Sequence, residues 1–424
     1  MTGLTNDERL THQRLSHLTF LFITAVLVEI GTRQILTVNL TELHQDEPLR
    51  QREFPICAKT AFWANAGVCS LPQRVIDAMN TYLESATLAD QEESLPEGVF
   101  QNTRTLAAEL LHCQWQDIAL VGPTSVGLSL VASGLSWHSG ANVLFYADDY
   151  PSNAVVWMNL ERCGVTPRAI VPKIHGCITL DDIIPLVDAH TQLVALSSCH
   201  FISGYCPDLD AIGAWLHQKD ILLCVDGIQT LGALPTSVRH VDFLCADAHK
   251  WMLSPCAIGI FYVAPQSRSQ LMPTLVGWNN VICPSYLTPD TISFRKDARR
   301  YEAGSPNMIA LVGFHAALKL LKELGSDAIA MTILRLTMDL REALRDKGYT
   351  LFGSPDAQPS GITSFRHDAL DMPALHQKLT DAGIATSLRQ TRDGLHWIRC
   401  APHGYNTRTE LEYLIDSLPS LRLS

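Results

Sequence analysis

The feature that most constrains the fold is a train of short, apolar, β-rich runs separated by helix-like stretches. The runs are DIALVG (117–122), ANVLFYAD (141–148), QLVALSS (192–198), DILLCVDG (220–227), VDFLCAD (241–247) and AIGIFYV (257–263). A strand that is apolar at nearly every position has both faces covered, and the intervening helical patterns supply the cover. One of these is PDLDAIGAWLHQ, where Asp208 can cap the first turn. The alternation predicts an α/β large domain built on a mainly parallel sheet. Two helical patterns precede it: LPQRVIDAMNTYLES, with Pro72 near its first turn, and NTRTLAAELLHC, with Asn102 as N-cap.

After SPNMIALVGFHAALKLLKELG the texture changes, and Gly325 is a helix C-terminal signal. A long helical pattern from Ser326 to about Lys347, strand-like GITSFRH, helical DMPALHQKLTDAG, strand-like LHWIRC and helical RTELEYLIDSL predict a smaller C-terminal α+β domain. The expected division is an extension over 1–50, a large domain over 51–320, whose first part can pack on the small domain, and a small domain over 321–424.

The net charge of −11, with lysines and arginines dispersed, leaves no basic stripe to follow a phosphate backbone, so nucleic acid is not expected as a partner. Twelve cysteines contain no C-x-x-C pair, which removes zinc-site and thioredoxin-type readings. No metal is expected. Cys224 and Cys245 sit inside apolar runs as small hydrophobes, and a reducing cytoplasm is the simplest setting. Residues Leu18 to Ile30, preceded by Arg9 and Arg14, have the general layout of a signal peptide. The run is too short to span a bilayer, contains Glu29 and lacks a small-x-small cleavage site. An amphipathic or buried helix is the expectation, with a signal peptide and a dispensable upstream start as the alternatives, and no membrane partner is predicted.

Ligands of open parallel sheets bind at the carboxyl ends of the strands. DILLCVDG ends in Asp226 with Gln229 one turn on, VDFLCAD leads into His249 and Lys250, and DIALVG opens into Thr124 and Ser125 before a helix. Singly these have plain explanations: a turn cap, a solvated lysine, an N-cap. Together they match a specific chemistry. A lysine after a buried strand has a lowered pKa and becomes a nucleophilic amine. A strand-end carboxylate can keep a pyridine nitrogen protonated, and a helix N-terminus with hydroxyls can hold a phosphate dianion. That set is what pyridoxal 5'-phosphate requires.

From about Phe54 to the C-terminus the sequence resembles the class V aminotransferase group of fold-type I pyridoxal-phosphate enzymes, which includes cysteine desulfurases, kynureninase and isopenicillin N epimerase. The resemblance rests on ordered stretches: FWANAGVCSLP, GPTSVGLSLVASGL, ADDYPSNAVVW, VDGIQTLG, ADAHKWML, RRYEAGSPN and IRCAPHGYNT. It implies a large domain with a seven-stranded type of sheet and the small C-terminal domain. It implies Lys250 as the Schiff-base lysine, Asp226 as partner of the pyridine nitrogen and Gln229 beside the phenolic oxygen, with Thr124, Ser125 and His249 on the phosphate. Tyr150 falls where relatives carry a histidine or an aromatic residue stacked on the ring. The Y-E-A-G-[ST] segment implies that Ser305 reaches the other subunit's phosphate, hence a homodimer with shared sites. Arg399 matches the arginine that clamps the substrate α-carboxylate, and Arg389 and Arg392 lie on the same approach.

The sequence departs from the desulfurase pattern: between Pro355 and Ile398 there is no cysteine to attack a substrate sulfur. Aminotransferase-type chemistry on a small amino acid is therefore the first expectation, because it needs no group beyond Lys250. A β-eliminating carbon–sulfur lyase or an epimerase is the alternative. A cofactor-binding protein without turnover is disfavoured by the joint presence of Lys250, Asp226, Gln229 and Arg399.

Overall fold

The computed structural model describes residues 38–354 and 358–421. The apolar run at 18–30 lies outside them. The main sheet has seven strands: β1 (Ile118–Val121), β2 (Asn142–Tyr146), β3 (Thr166–Ile170), β4 (Thr191–Ser197), β5 (Leu222–Asp226), β6 (Phe243–Asp247) and β7 (Gly259–Val263). Their order is β1-β7-β6-β5-β4-β2-β3, all pairings being parallel except those of β7, which runs antiparallel to β1 and β6. The central strands are buried at every position, as their unbroken apolar runs require. Strand β3 (TPRAI) was not among the expected runs: it is an edge strand, mostly uncovered, and so carries no apolar signature.

Helices α1 (Gln73–Ser85), α2 (Val99–Leu111), α3 (Thr124–Gly134), α4 (Ser152–Met158), α5 (Leu209–His217) and α6 (Met308–Leu324) accompany this sheet. Asp208 does cap α5, its carboxylate accepting from Ala211 N at 2.9 Å. Pro72 lies near the first turn of α1 as expected, at its N-cap. The expected N-cap of α2, Asn102, is corrected: the cap is Gly98, four residues earlier, whose left-handed φ of 68° makes the sharp entry.

Gly325, at φ 83°, separates α6 from α7 (Ser326–Asp346). The C-terminal part then forms an antiparallel sheet of β8 (Thr350–Leu351), β9 (Thr363–Arg366), β10 (Ser387–Gln390) and β11 (His396–Cys400), in the order β10-β11-β9-β8. Helices α8 (Met372–Asp381) and α9 (Arg408–Asp416) pack with it, around a core that includes Trp63, Leu340, Phe365, Leu379 and Ile398. The protein is thus α/β, with a large, mainly parallel sheet and a smaller C-terminal domain.

Two N-terminal features cross to this domain. A two-residue strand, Ala61–Phe62, pairs in parallel with Ile384–Ala385. The polar stretch around residue 50 forms two short helices, Leu40–Gln45 and Glu47–Glu53, anchored by buried Arg50, which bonds the Tyr405 carbonyl and Glu410.

Candidate active site

Strands β6, β5, β4 and β2 are consecutive neighbours, so the segments leaving their carboxyl ends meet above the sheet. Lys250 comes from the turn after β6 and is 6% exposed. Its Nζ lies 5.2 Å from the centre of the Tyr150 ring and makes no hydrogen bond or ion pair among the described residues. Burial pushes its pKa down to about 8; Asp226 opposes the fall, while Arg399 and Arg389 add to it.

Asp226 ends β5 and is 3% exposed. Burial, together with the nearby Asp149 carboxylate, raises its pKa to about 7, against the hydrogen bond that Asp226 Oδ1 accepts from Ile228 N at 3.1 Å and the charge of Lys250. Gln229 is pinned at both ends of its amide. Its Oε1 accepts from Trp251 Nε1 at 3.0 Å and its Nε2 donates to the Ala66 carbonyl at 3.2 Å, which leaves one amide hydrogen for the site. Tyr150, after β2, is 47% exposed and meets Phe201 edge-on at 5.6 Å between centroids.

Thr124 opens α3, a helix whose first turn has no side-chain cap. Thr124 Oγ1 accepts from Asp247 N at 2.9 Å and so keeps its own hydrogen for an acceptor. His249 Nδ1 lies 2.8 Å from Asp247 Oδ1, a close contact bent away from the straight hydrogen-bond line. Ser125 is exposed and bonds Ser152 Oγ at 2.8 Å, along a cleft of about 380 Å³ between α3 and α4. Ser305 lies elsewhere. It lines a cavity of about 540 Å³ with Arg104, Trp278, Arg295, Arg299 and Glu302, in which none of the residues around Lys250 takes part.

Arg399, in β11, is 1% exposed. Its Nη1 donates to the Phe201 carbonyl at 2.7 Å, and its Nε is buried without a partner. Arg389, in β10, also has a buried, unpartnered Nε. The two guanidinium groups converge beside Gly67, where a Cβ would stand 3.7 Å from an Nη2 of each. Among the described residues neither pairs with a carboxylate, and each cation, destabilised by burial, lacks a counter-charge. A carboxylate between the two would supply it. Arg392 is engaged differently, paired with Asp148 and donating to the Ala147 carbonyl at 2.6 Å. It is therefore bound to the loop before Tyr150 rather than free to face a substrate.

Asp149, Asp247, Gly67 and the Phe201 carbonyl were not anticipated. Asp247 had a legible signal, since it closes a strand as Asp226 does; Gly67 and a backbone carbonyl had none. Among the described residues no cluster of His, Cys, Asp or Glu could hold a metal ion, and no helix is long and apolar enough to cross a membrane.

The family profile described as Aminotransferase class-V matches residues 61–413. An uncharacterised aminotransferase of Bacillus subtilis (strain 168) is 26% identical over 379 residues, 88% of this chain and 98% of that protein. A cysteine desulfurase of Enterobacter sp. (strain 638) is 30% identical over 346 residues, 75% of this chain and 81% of that protein. Among solved structures, the cystine C–S lyase C-DES in complex with its product cysteine persulfide superposes with a TM-score of 0.78 at 22% identity, covering 86% of this chain and 98% of that one.

Proposed function

Because the chain belongs to the class V aminotransferase family, whose cofactor is pyridoxal 5'-phosphate, we propose that it carries out aminotransferase-type chemistry on a small amino acid at the Lys250 site. The residues fit that cofactor on three counts: a buried amine without a partner, a buried strand-end carboxylate, and a Thr124 hydroxyl with a hydrogen to give. Thr124, Ser125 and His249 would hold the phosphate, Asp226 the ring nitrogen, Gln229 the phenolic oxygen and Tyr150 one face of the ring. Bound there, the cofactor supplies an electron sink for the charge left on the substrate's Cα.

This chain's own groups do the rest. Arg399, with Arg389 beside it, binds the α-carboxylate and so fixes which Cα bond stands over the ring. Lys250, with a pKa near 8, would take a proton from the substrate's Cα and deliver it to C4′, the carbon that carries the cofactor's aldehyde. Asp226 keeps the ring nitrogen's proton in place. The carrying observation is that a buried Lys250 amine without a partner lies close enough to two buried arginines, neither paired with a carboxylate, for their charges to lower its pKa.

The other reading, a carbon–sulfur lyase, draws on the desulfurase relatives and on the C-DES fold; it needs a leaving group at Cβ and a proton donor for it. An assay of the purified protein against a panel of amino acids separates the two. Keto-acid-dependent amino transfer supports the first, and pyruvate with ammonia and sulfide, without a keto acid, supports the second.

We further propose a homodimer in which Ser305 serves the partner's phosphate. The exposed apolar side chains of Trp278, which lines the Ser305 cavity, and of Ile282, Tyr286 and Leu287 in the chain segment that follows it support it. All twelve cysteines are free thiols, which suits a cytoplasmic location.

A further inference from the structure

We propose that Asp247 is a positioning residue for the phosphate end of the cofactor, acting through His249 and Thr124. The inference rests on the reading of those two residues as phosphate-holding. Asp247 closes β6 and is buried, yet it forms no pair with Lys or Arg among the described residues. Its carboxylate instead lies against the His249 ring, with Nδ1 2.8 Å from Oδ1. The same carboxylate accepts from His249 N and from Ala257 N, each at 3.3 Å, and its backbone N–H donates to Thr124 Oγ1 at 2.9 Å. One residue therefore touches both groups assigned to the anion.

Each contact has a direction that favours an anion beyond it. The carboxylate against Nδ1 fixes the orientation of the ring and leaves Nε2, on the opposite edge, turned away from Asp247. A hydroxyl that accepts from a backbone N–H turns its own hydrogen outward. The backbone of His249 is fixed as well, since its carbonyl accepts from Cys69 N at 2.9 Å. A carboxylate this close to a phosphate dianion would by itself repel it. Two backbone amides and the intervening His249 ring convert that repulsion into orientation, as second-layer carboxylates do for histidines that bind other charged ligands.

The test uses the full chain freed of cofactor and titrated, by visible absorbance, with pyridoxal 5'-phosphate and with pyridoxal, which has the aldehyde and ring but no phosphate. Asp247→Asn is expected to lower the preference for the phosphorylated form about tenfold, while pyridoxal affinity changes less than twofold. His249→Gln should lower the same preference, and Asp247→Asn should add less than twofold to it in the double variant, because the carboxylate acts through the ring. Equal loss for both ligands would show a purely structural role and overturn the proposal, as would full additivity or a rise in preference for the phosphate. If His249→Gln leaves the preference unchanged, the phosphate reading of His249 fails and the proposal with it. If only Asp247→Asn leaves it unchanged, the proposal alone fails.

Discussion

A buried lysine amine is a cost unless something uses it. Lys250 is held where water cannot stabilise its charge, and two arginines add to the pressure, so its neutral form is present at ordinary pH. Roughly a tenth of it is unprotonated at pH 7, against well under a thousandth for a solvated lysine. The free amine is the reactive form. The rate at which cofactor-free protein takes up pyridoxal 5'-phosphate should therefore rise with pH through a midpoint near 8, and a midpoint near 10 would contradict the burial argument. Asp226 acts in the opposite sense on the same amine, so Asp226→Ala should move that midpoint lower. The same variant should lose most turnover, since the ring nitrogen is left without its carboxylate; Lys250→Ala should lose both turnover and the visible band. Arg399→Ala removes a charge-assisted, bidentate contact and should cost on the order of 3 kcal/mol in substrate binding, roughly a hundredfold in KM. Arg399→Lys should recover little, because an ammonium cannot reproduce the fork. Titration with an amino acid and with the corresponding amine checks the assignment: the variant should lose its preference for the acid, and an intact preference would pass the role to Arg389.

At the scale of elements, the site depends on how closely α3 lies on the sheet. Gly127 sits in its second turn, where a Cβ would stand 2.7 Å from Cys245 Sγ and 3.0 Å from Cys245 Cβ, both in the fully buried core. Gly127→Ala must push the helix off β6. Overpacking of this kind costs about 1–3 kcal/mol. Because Thr124 opens the same helix and bonds Asp247 N, the variant should lose cofactor affinity as well as melting temperature. Thermal unfolding with and without added pyridoxal 5'-phosphate reads both, and a variant that melts lower yet binds the cofactor normally would show that the helix start does not hold the phosphate. Helix α2 makes a related point. A polar residue such as Asn102 is a fair N-cap in the sequence, but the glycine before the helix decides where the chain turns.

At the scale of the whole molecule, each arginine of the substrate end comes from the small domain, while Lys250 and Asp226 come from the large sheet. The Arg399 bond to the Phe201 carbonyl and the Arg392 pair with Asp148 tie the two parts together at the site. If the proposed dimer shares its sites, mixing two inactive variants, Lys250→Ala and a Ser305 replacement too bulky for a phosphate contact, should restore part of the activity. Mixed dimers would then carry one site with both residues intact. No recovery after subunit exchange would place Ser305 outside the partner's site.

The residue types and their order along the chain were sufficient for the α/β fold, the mainly parallel sheet, the family and the cluster around Lys250, because each rests on a local pattern: an all-apolar strand, or a functional residue directly after one. The antiparallel course of β7 and the edge strand β3 were not legible, since strand direction and partial cover leave no mark on composition. Nor were the contacts that set the electrostatics. Asp149 beside Asp226, Asp247 beside His249, the two arginines meeting at Gly67 and the diversion of Arg392 to Asp148 join residues far apart in the chain or fixed by backbone geometry. Charge interactions depend on distance and burial, and only the folded chain sets those.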